Sequence, residues 1–65
     1  MIGKVIKKLR ELEGYTQKEF AELIGININT LASYERENRE PSLSFVVKLA
    51  NHFNVSVDYL VGRVD

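Results

Sequence analysis

The 65-residue sequence contains no cysteine and no tryptophan, and only one proline and one methionine. Without cysteine there is no disulfide, no thiolate zinc site and no cysteine nucleophile. No run of about 18 apolar residues occurs, so a membrane-spanning helix is not expected. The opening MIGKVIKKLREL also lacks the unbroken apolar core of a secretory signal. A cytoplasmic location is the expectation. An excess of charge of one sign is missing too, since nine basic residues balance nine acidic ones. Taken alone, that balance argues mildly against a nucleic-acid partner. The distribution says more than the sum. Lys4, Lys7, Lys8 and Arg10 cluster early, and Arg36 and Arg39 lie at the end of GININTLASYERENREP. A local basic surface needs no basic protein.

Catalytic patterns are also scarce. His52 is the sole histidine and has Asn51 and Asn54 for neighbours. Lone helix histidines are mostly boundary residues, and Glu19, Glu22 and Glu35 are accounted for by capping, solvation and ion pairing. No glycine-rich phosphate loop and no metal-ligand spacing occurs. The sequence is not that of an enzyme, and no cofactor or metal is expected.

What is present is helix punctuation. A chain of this length buries only ~60% of its unfolded surface, so packing by its 45% hydrophobic residues must carry a single domain over 1–65. There is no repeat, linker or alternating strand; Pro41 and the glycines at 3, 14, 25 and 62 divide the chain. Ile2, Val5, Ile6, Leu9 and Leu12 recur at helical spacing and form one face. Gly14 then ends that helix. Thr16 and Glu19 make a capping box, and Tyr15 and Phe20 a hydrophobic staple across it. The same logic returns at Ile26, Asn27 and Leu31, and again at Val55, Ser56 and Leu60. Ser42 caps a helix through Val46, Leu49, Ala50 and Phe53. Five helices of roughly 5 to 12 residues follow, giving an all-α domain. The short turn around Gly25 suits either antiparallel packing or a helix-turn-helix crossing at about 90–120°.

The third helix has an unusual outward face. With Leu31 in the core, Tyr34 and Glu35 fall within about 60° of it, while Asn29, Ser33 and Arg36 point away. Ordinary surface helices carry Glu, Lys and Gln instead. A short, polar, uncharged face fits base edges: Asn bonds adenine bidentately, Ser and Thr contact several bases, and an apolar residue such as Ile28 meets a thymine methyl. Arg36 and Arg39 lie where a helix end meets phosphate. Asn, Thr and Ser at a helix start also have a plainer use as caps, and the pattern alone leaves both uses open.

TQKEFAELIGININTLASYERENREPS, followed by VVKLANHFNVSVDYL, resembles the Cro and phage-repressor (XRE-type) helix-turn-helix family over roughly residues 5 to 61. The likeness rests on joint spacing. It comprises Thr16-Gln17, Ala21, Gly25-Ile26, Leu31, Tyr34-Glu35-Arg36, Pro41-Ser42 and the VSVDYL ending. The resemblance implies a compact five-helix, lambda-repressor-like domain. Its helix-turn-helix would span about residues 17 to 36, with the third helix in the major groove. It implies base contacts from Ile28, Asn29 and Ser33, with Asn27 and Thr30 close by. Gln17 matches a position that binds phosphate or braces a base-reading side chain, with Thr16 and Lys18 beside it at a helix start that attracts phosphate. Arg36, Asn38 and Arg39 match the loop that grips the backbone. Arg10 and Glu35 are implied to pair, tying the first helix to the third, although Arg10 also has a phosphate-contact reading.

Two positions depart from the family pattern. Glu37 stands where Gly often ends the third helix, which would pass the left-handed position to Asn38. Ile28 stands where many relatives are polar, so a core-edge role competes with thymine contact.

The function this implies is sequence-specific binding of double-stranded DNA by a transcriptional repressor or regulator, or by the DNA-binding domain of a longer one. One domain covers too few base pairs to specify an address, so a homodimer on a palindromic operator is expected. Val57, Tyr59, Val61 and Val64 are candidates for the dimer surface, unless they complete the core. The alternative is a protein-interaction module, such as an antitoxin, built on the same fold. An acidic or apolar third-helix face would favour it.

Overall fold

The computed structural model describes residues 2–63. Its elements are α1 (Ile2–Leu12), α2 (Gln17–Ile24), α3 (Ile28–Glu35), α4 (Leu43–Phe53) and α5 (Val57–Leu60). No strand occurs among the described residues.

Each of the four later helices starts on the side chain that the sequence supplies for it. Thr16 Oγ1 accepts from Glu19 N at 3.1 Å while Glu19 Oε1 accepts from Thr16 N at 2.9 Å, a reciprocal capping box. Asn27 caps α3, Ser42 caps α4 and Ser56 caps α5. A cap of this kind contributes about 1 kcal/mol, and in short helices that is a large share of the local preference. The Tyr15–Phe20 staple is formed, with ring centroids 5.9 Å apart. Helix α5, at four residues, is shorter than its start signal promises.

The core gathers one face from every helix: Ile6, Phe20, Ala21, Ile24, Leu31, Tyr34, Phe45, Val46, Leu49, Ala50 and Leu60 are buried. Leu12 corrects the expected face of α1. It is 73% exposed, because α1 ends there and the chain turns away at Gly14 (φ 83°) before anything can cover it.

Gly3 is a second correction. It does not divide the chain but lies buried inside α1. A Cβ at this position would collide with the backbone carbonyl of Tyr34 and crowd that of Glu35. The missing side chain therefore lets α1 lie against the end of α3. Gly3→Ala is expected to destabilise the protein by about 1–3 kcal/mol, the usual range for overpacking, even though Ala is the better helix former by ~1 kcal/mol. Urea unfolding followed by circular dichroism reads the sign; a stabilised Gly3→Ala would disprove the close approach.

Candidate nucleic-acid interface

Three residues separate α2 from α3. Gly25 turns the chain in the left-handed region (φ 85°), and its N–H bonds Ala21 O. Ile26 tucks against the core, and Asn27 in extended conformation caps the next helix. From α4, Lys48 Nζ donates to Ile24 O at 2.6 Å. An ammonium at a helix C-terminus complements the dipole there and satisfies a carbonyl that the helix leaves over. The hairpin of α2 and α3 is thus held from behind.

Its inner side is fixed by a polar cluster. Arg10 Nε donates to Glu35 Oε2 at 2.7 Å and Arg10 Nη2 to Glu35 Oε1 at 3.1 Å. Arg10 Nη1 donates to Tyr15 O, and Gln17 Nε2 donates to Glu35 Oε1 at 3.0 Å. The two charged side chains are 8% and 3% exposed. Hydrogen bonding to Glu35 raises the Arg10 pKa above its ordinary value against the opposing effect of burial, and the charges of Glu35 and Glu11 add to the rise. One carboxylate therefore joins α1, α2 and α3. Among the described residues no buried side-chain nitrogen or oxygen lacks a partner, the condition under which a buried network stiffens a fold. Arg10 is turned wholly inward, which corrects its phosphate-contact reading. Gln17 spends its amide on Glu35, leaving the start of α2 to present backbone N–H groups, with Thr16 and Lys18 exposed beside them.

The outward side of α3 carries the remaining residues. Asn27, Ile28 and Asn29 are exposed at its start, and Thr30 and Ser33 are half-buried. Asn27 Oδ1 accepts from Asn29 N at 2.7 Å, so the cap occupies that oxygen and leaves the Asn27 amide group for other contacts. Asn29 contributes only its backbone to the cap, and its side chain projects into solvent.

The far end of α3 differs from expectation. Glu37 itself takes the left-handed conformation (φ 63°), and Asn38 does not. The reason is the hydrogen-bond register: Glu37 N bonds Tyr34 O at 3.0 Å and Asn38 N bonds Ser33 O at 2.9 Å. This is the Schellman pairing, which places the left-handed residue one past the Arg36 cap. Arg36, Asn38 and Arg39 are all exposed around this turn. The Arg39 guanidinium lies over the Tyr34 ring, 5.8 Å from its centroid, within cation–π range. His52 lies far from this surface in sequence and role. Its Nε2 is 3.1 Å from Glu13 Oε1, and its ring packs edge-on to Phe20 and Phe53.

Sequence reasoning missed Lys48 as the brace of α2 and the bond from Gln17 to Glu35. Both join residues far apart in sequence, and no local pattern announces them.

The chain belongs to the helix-turn-helix family of the Cro and phage-repressor type, whose profile matches residues 6–60. The five helices form a lambda-repressor-like fold. Among its relatives, the HTH-type transcriptional regulator ImmR of Bacillus subtilis is 48% identical over 62 residues, covering 95% of this chain and 49% of ImmR. The antitoxin PezA of Streptococcus pneumoniae is 42% identical over 63 residues, covering 97% of this chain and 40% of PezA. The chain thus spans half or less of the length of these two relatives. The structure of SinR, described as a master regulator for biofilm formation and solved in complex with DNA, superposes with a TM-score of 0.82 at 39% identity, covering 94% of this chain and 98% of that one.

Proposed function

We propose that the chain is a sequence-specific reader of double-stranded DNA and acts as a transcriptional repressor or regulator. The observation that carries this reading is the exposed face of α3. It is polar and uncharged across Asn27, Asn29, Thr30 and Ser33, with Arg36 and Arg39 at its end. A helix ~10–12 Å across fits a major groove ~12 Å wide. The cap on Asn27 and the cluster behind Glu35 hold that face at a fixed angle, so little order has to be gained on binding. Ile28, Asn29 and Ser33 contact base edges, with Asn27 and Thr30 beside them. Thr16, Lys18 and the backbone N–H of Gln17 at the start of α2, and Arg36, Asn38 and Arg39 past α3, meet phosphates. Similarity to ImmR and to DNA-bound SinR supports the same reading.

Two copies on a palindromic operator complete the site, with half-sites about 34 Å apart. Val57, Tyr59 and Val61 are half-buried against the core and keep an outer edge for the partner copy. Val64, the fourth candidate, lies outside the described residues. No helix among the described residues is long and apolar enough to cross a membrane, consistent with work in the cytoplasm. The antitoxin relative favours a second reading, a protein-interaction module such as an antitoxin built on the same fold.

The test is selection of sites from a random double-stranded DNA pool. A short palindrome is expected, bound with a log–log salt slope near −2.7 for each copy if Lys18, Arg36 and Arg39 each neutralise a phosphate at ~0.9 apiece. A folded protein that enriches no site, or binds independently of salt, would falsify the proposal and shift the choice to a protein-interaction module.

A further inference from the structure

Glu37 holds its position at two costs. Its backbone is left-handed (φ 63°), a conformation that strains any residue with a Cβ and leaves glycine free. Its charge also stands between Arg36 and the pair Asn38 and Arg39, all three assigned to phosphate, where a like charge opposes binding. The start of α1 supplies what offsets them. The sequence there, MIGKV, contains no Ser, Thr, Asp or Asn to cap the helix, and its first turn has no acidic residue. The first N–H groups of α1 therefore lack a cap of their own. The Glu37 side chain lies over this turn. A Cβ added to Gly3 would stand 2.7 Å from Glu37 Cγ, and Ile2 and Glu37 line one cleft. The chain's amino group, and then the charge and backbone N–H of Lys4, lower the Glu37 pKa against the opposing effect of desolvation. A carboxylate is favoured at a helix N-terminus. Gly3 thus admits both the end of α3 and the stem of Glu37.

We propose that Glu37 is a positioning residue for DNA binding, whose carboxylate docks on the start of α1 and holds the 36–39 turn in the form that meets phosphate. The inference rests on the DNA-reading assignment of α3 and its flanking turn. Glu37 touches no DNA itself. It acts through Arg36, Asn38 and Arg39, which it ties to the first helix, while its own charge is turned toward Lys4 and away from the phosphates.

The experiment compares the parent, Glu37→Gly and Glu37→Gln on the site enriched from the random pool, at a temperature where circular dichroism shows all three folded. Both variants remove a negative charge beside phosphate, so electrostatics alone would make them bind more tightly. The docked carboxylate has the opposite consequence. Glu37→Gly is expected to bind about three- to ten-fold more weakly per copy, the cost of ordering one or two loosened side chains. Its base preferences stay those of the parent, and its thermal unfolding midpoint stays close, because glycine relieves the left-handed strain as the tether is lost. Glu37→Gln, which keeps the reach without the charge, is expected to bind more weakly as well. Lys4→Gln should weaken binding in the parent and have less effect in Glu37→Gly, since the two act as one unit. If either Glu37 variant binds as tightly as the parent or more tightly, the carboxylate only repels phosphate and the inference is overturned while DNA binding stands. Equal losses from Lys4→Gln in both backgrounds would also overturn it, because Lys4 would then act without Glu37. A folded parent that enriches no site overturns the function and this inference together.

Discussion

Arg10→Met is expected to lower the free energy of unfolding by about 3–5 kcal/mol, the cost of leaving one member of a buried ion pair without its partner. A domain of this size has only about 3–10 kcal/mol in all, so the substitution removes about a third or more of the total stability. The reason lies in what surrounds Glu35. Its side chain is 3% exposed, and both of its oxygens bond Arg10. With Arg10 gone, Gln17 Nε2 is the remaining side-chain donor to the carboxylate. An amide cannot offset the lost hydration of a full charge. Tyr15 O loses its donor in the same substitution.

The double variant Arg10→Met, Glu35→Leu separates charge from shape. Removing both charges leaves apolar groups of similar volume, and such replacements are often neutral or stabilising. The double variant should therefore recover most of the loss, with Gln17 turning its half-exposed amide to water. Urea denaturation of the parent, both single variants and the double variant closes the cycle. A single-variant cost below about 1 kcal/mol, or a double variant as unstable as the sum of the singles, would show that the pair is not what joins the three helices. Recovery of stability need not bring recovery of DNA binding, because Glu35 also fixes the angle between α2 and α3.

The distinction between local and distant causes also explains what could be read from the sequence. Thr16, Asn27, Ser42 and Ser56 cap helices in the structure because a cap involves atoms two or three residues apart, and that spacing is visible in the chain itself. The left-handed turns at Gly14 and Gly25 are legible for the same reason. Gly3 was misjudged because its role is set by the carbonyls of Tyr34 and Glu35, over 30 residues away. Leu12 fits the period of α1, yet a period cannot say where the partner surface stops. The left-handed residue after α3 is Glu37 rather than Asn38. There residue preference pointed one way, and the hydrogen-bond register set by the length of α3 decided otherwise. In the candidate interface, the outward positions of Asn29 and Arg36 follow from helix geometry alone. That the Gln17 amide would donate to Glu35 does not, and neither does the brace from Lys48.

Asn29→Ala is expected to relax the preference at one base pair in each half-site by about 1–3 kcal/mol, roughly 5- to 150-fold, while leaving stability nearly unchanged. This position gives a cleaner test than Asn27. Asn27 Oδ1 caps α3, so truncating it also costs about 1 kcal/mol of helix stability and confuses folding with recognition. Asn29 supplies only its backbone N–H to that cap, and alanine keeps the N–H. Ser33 lies one turn further along the same face, so Ser33→Ala should relax a different base pair by a smaller amount. Arg39→Ala makes the contrast: a phosphate contact carries no sequence information, so its loss should weaken all sites alike and make the salt slope shallower by about one. Selection from the random pool, repeated with each variant, measures all three. If Asn29→Ala and Ser33→Ala lower affinity uniformly, their side chains are positioning the helix, and the base-reading role must pass to the remaining exposed groups at its start. If each relaxes its own base pair, the short polar face of α3 is explained residue by residue.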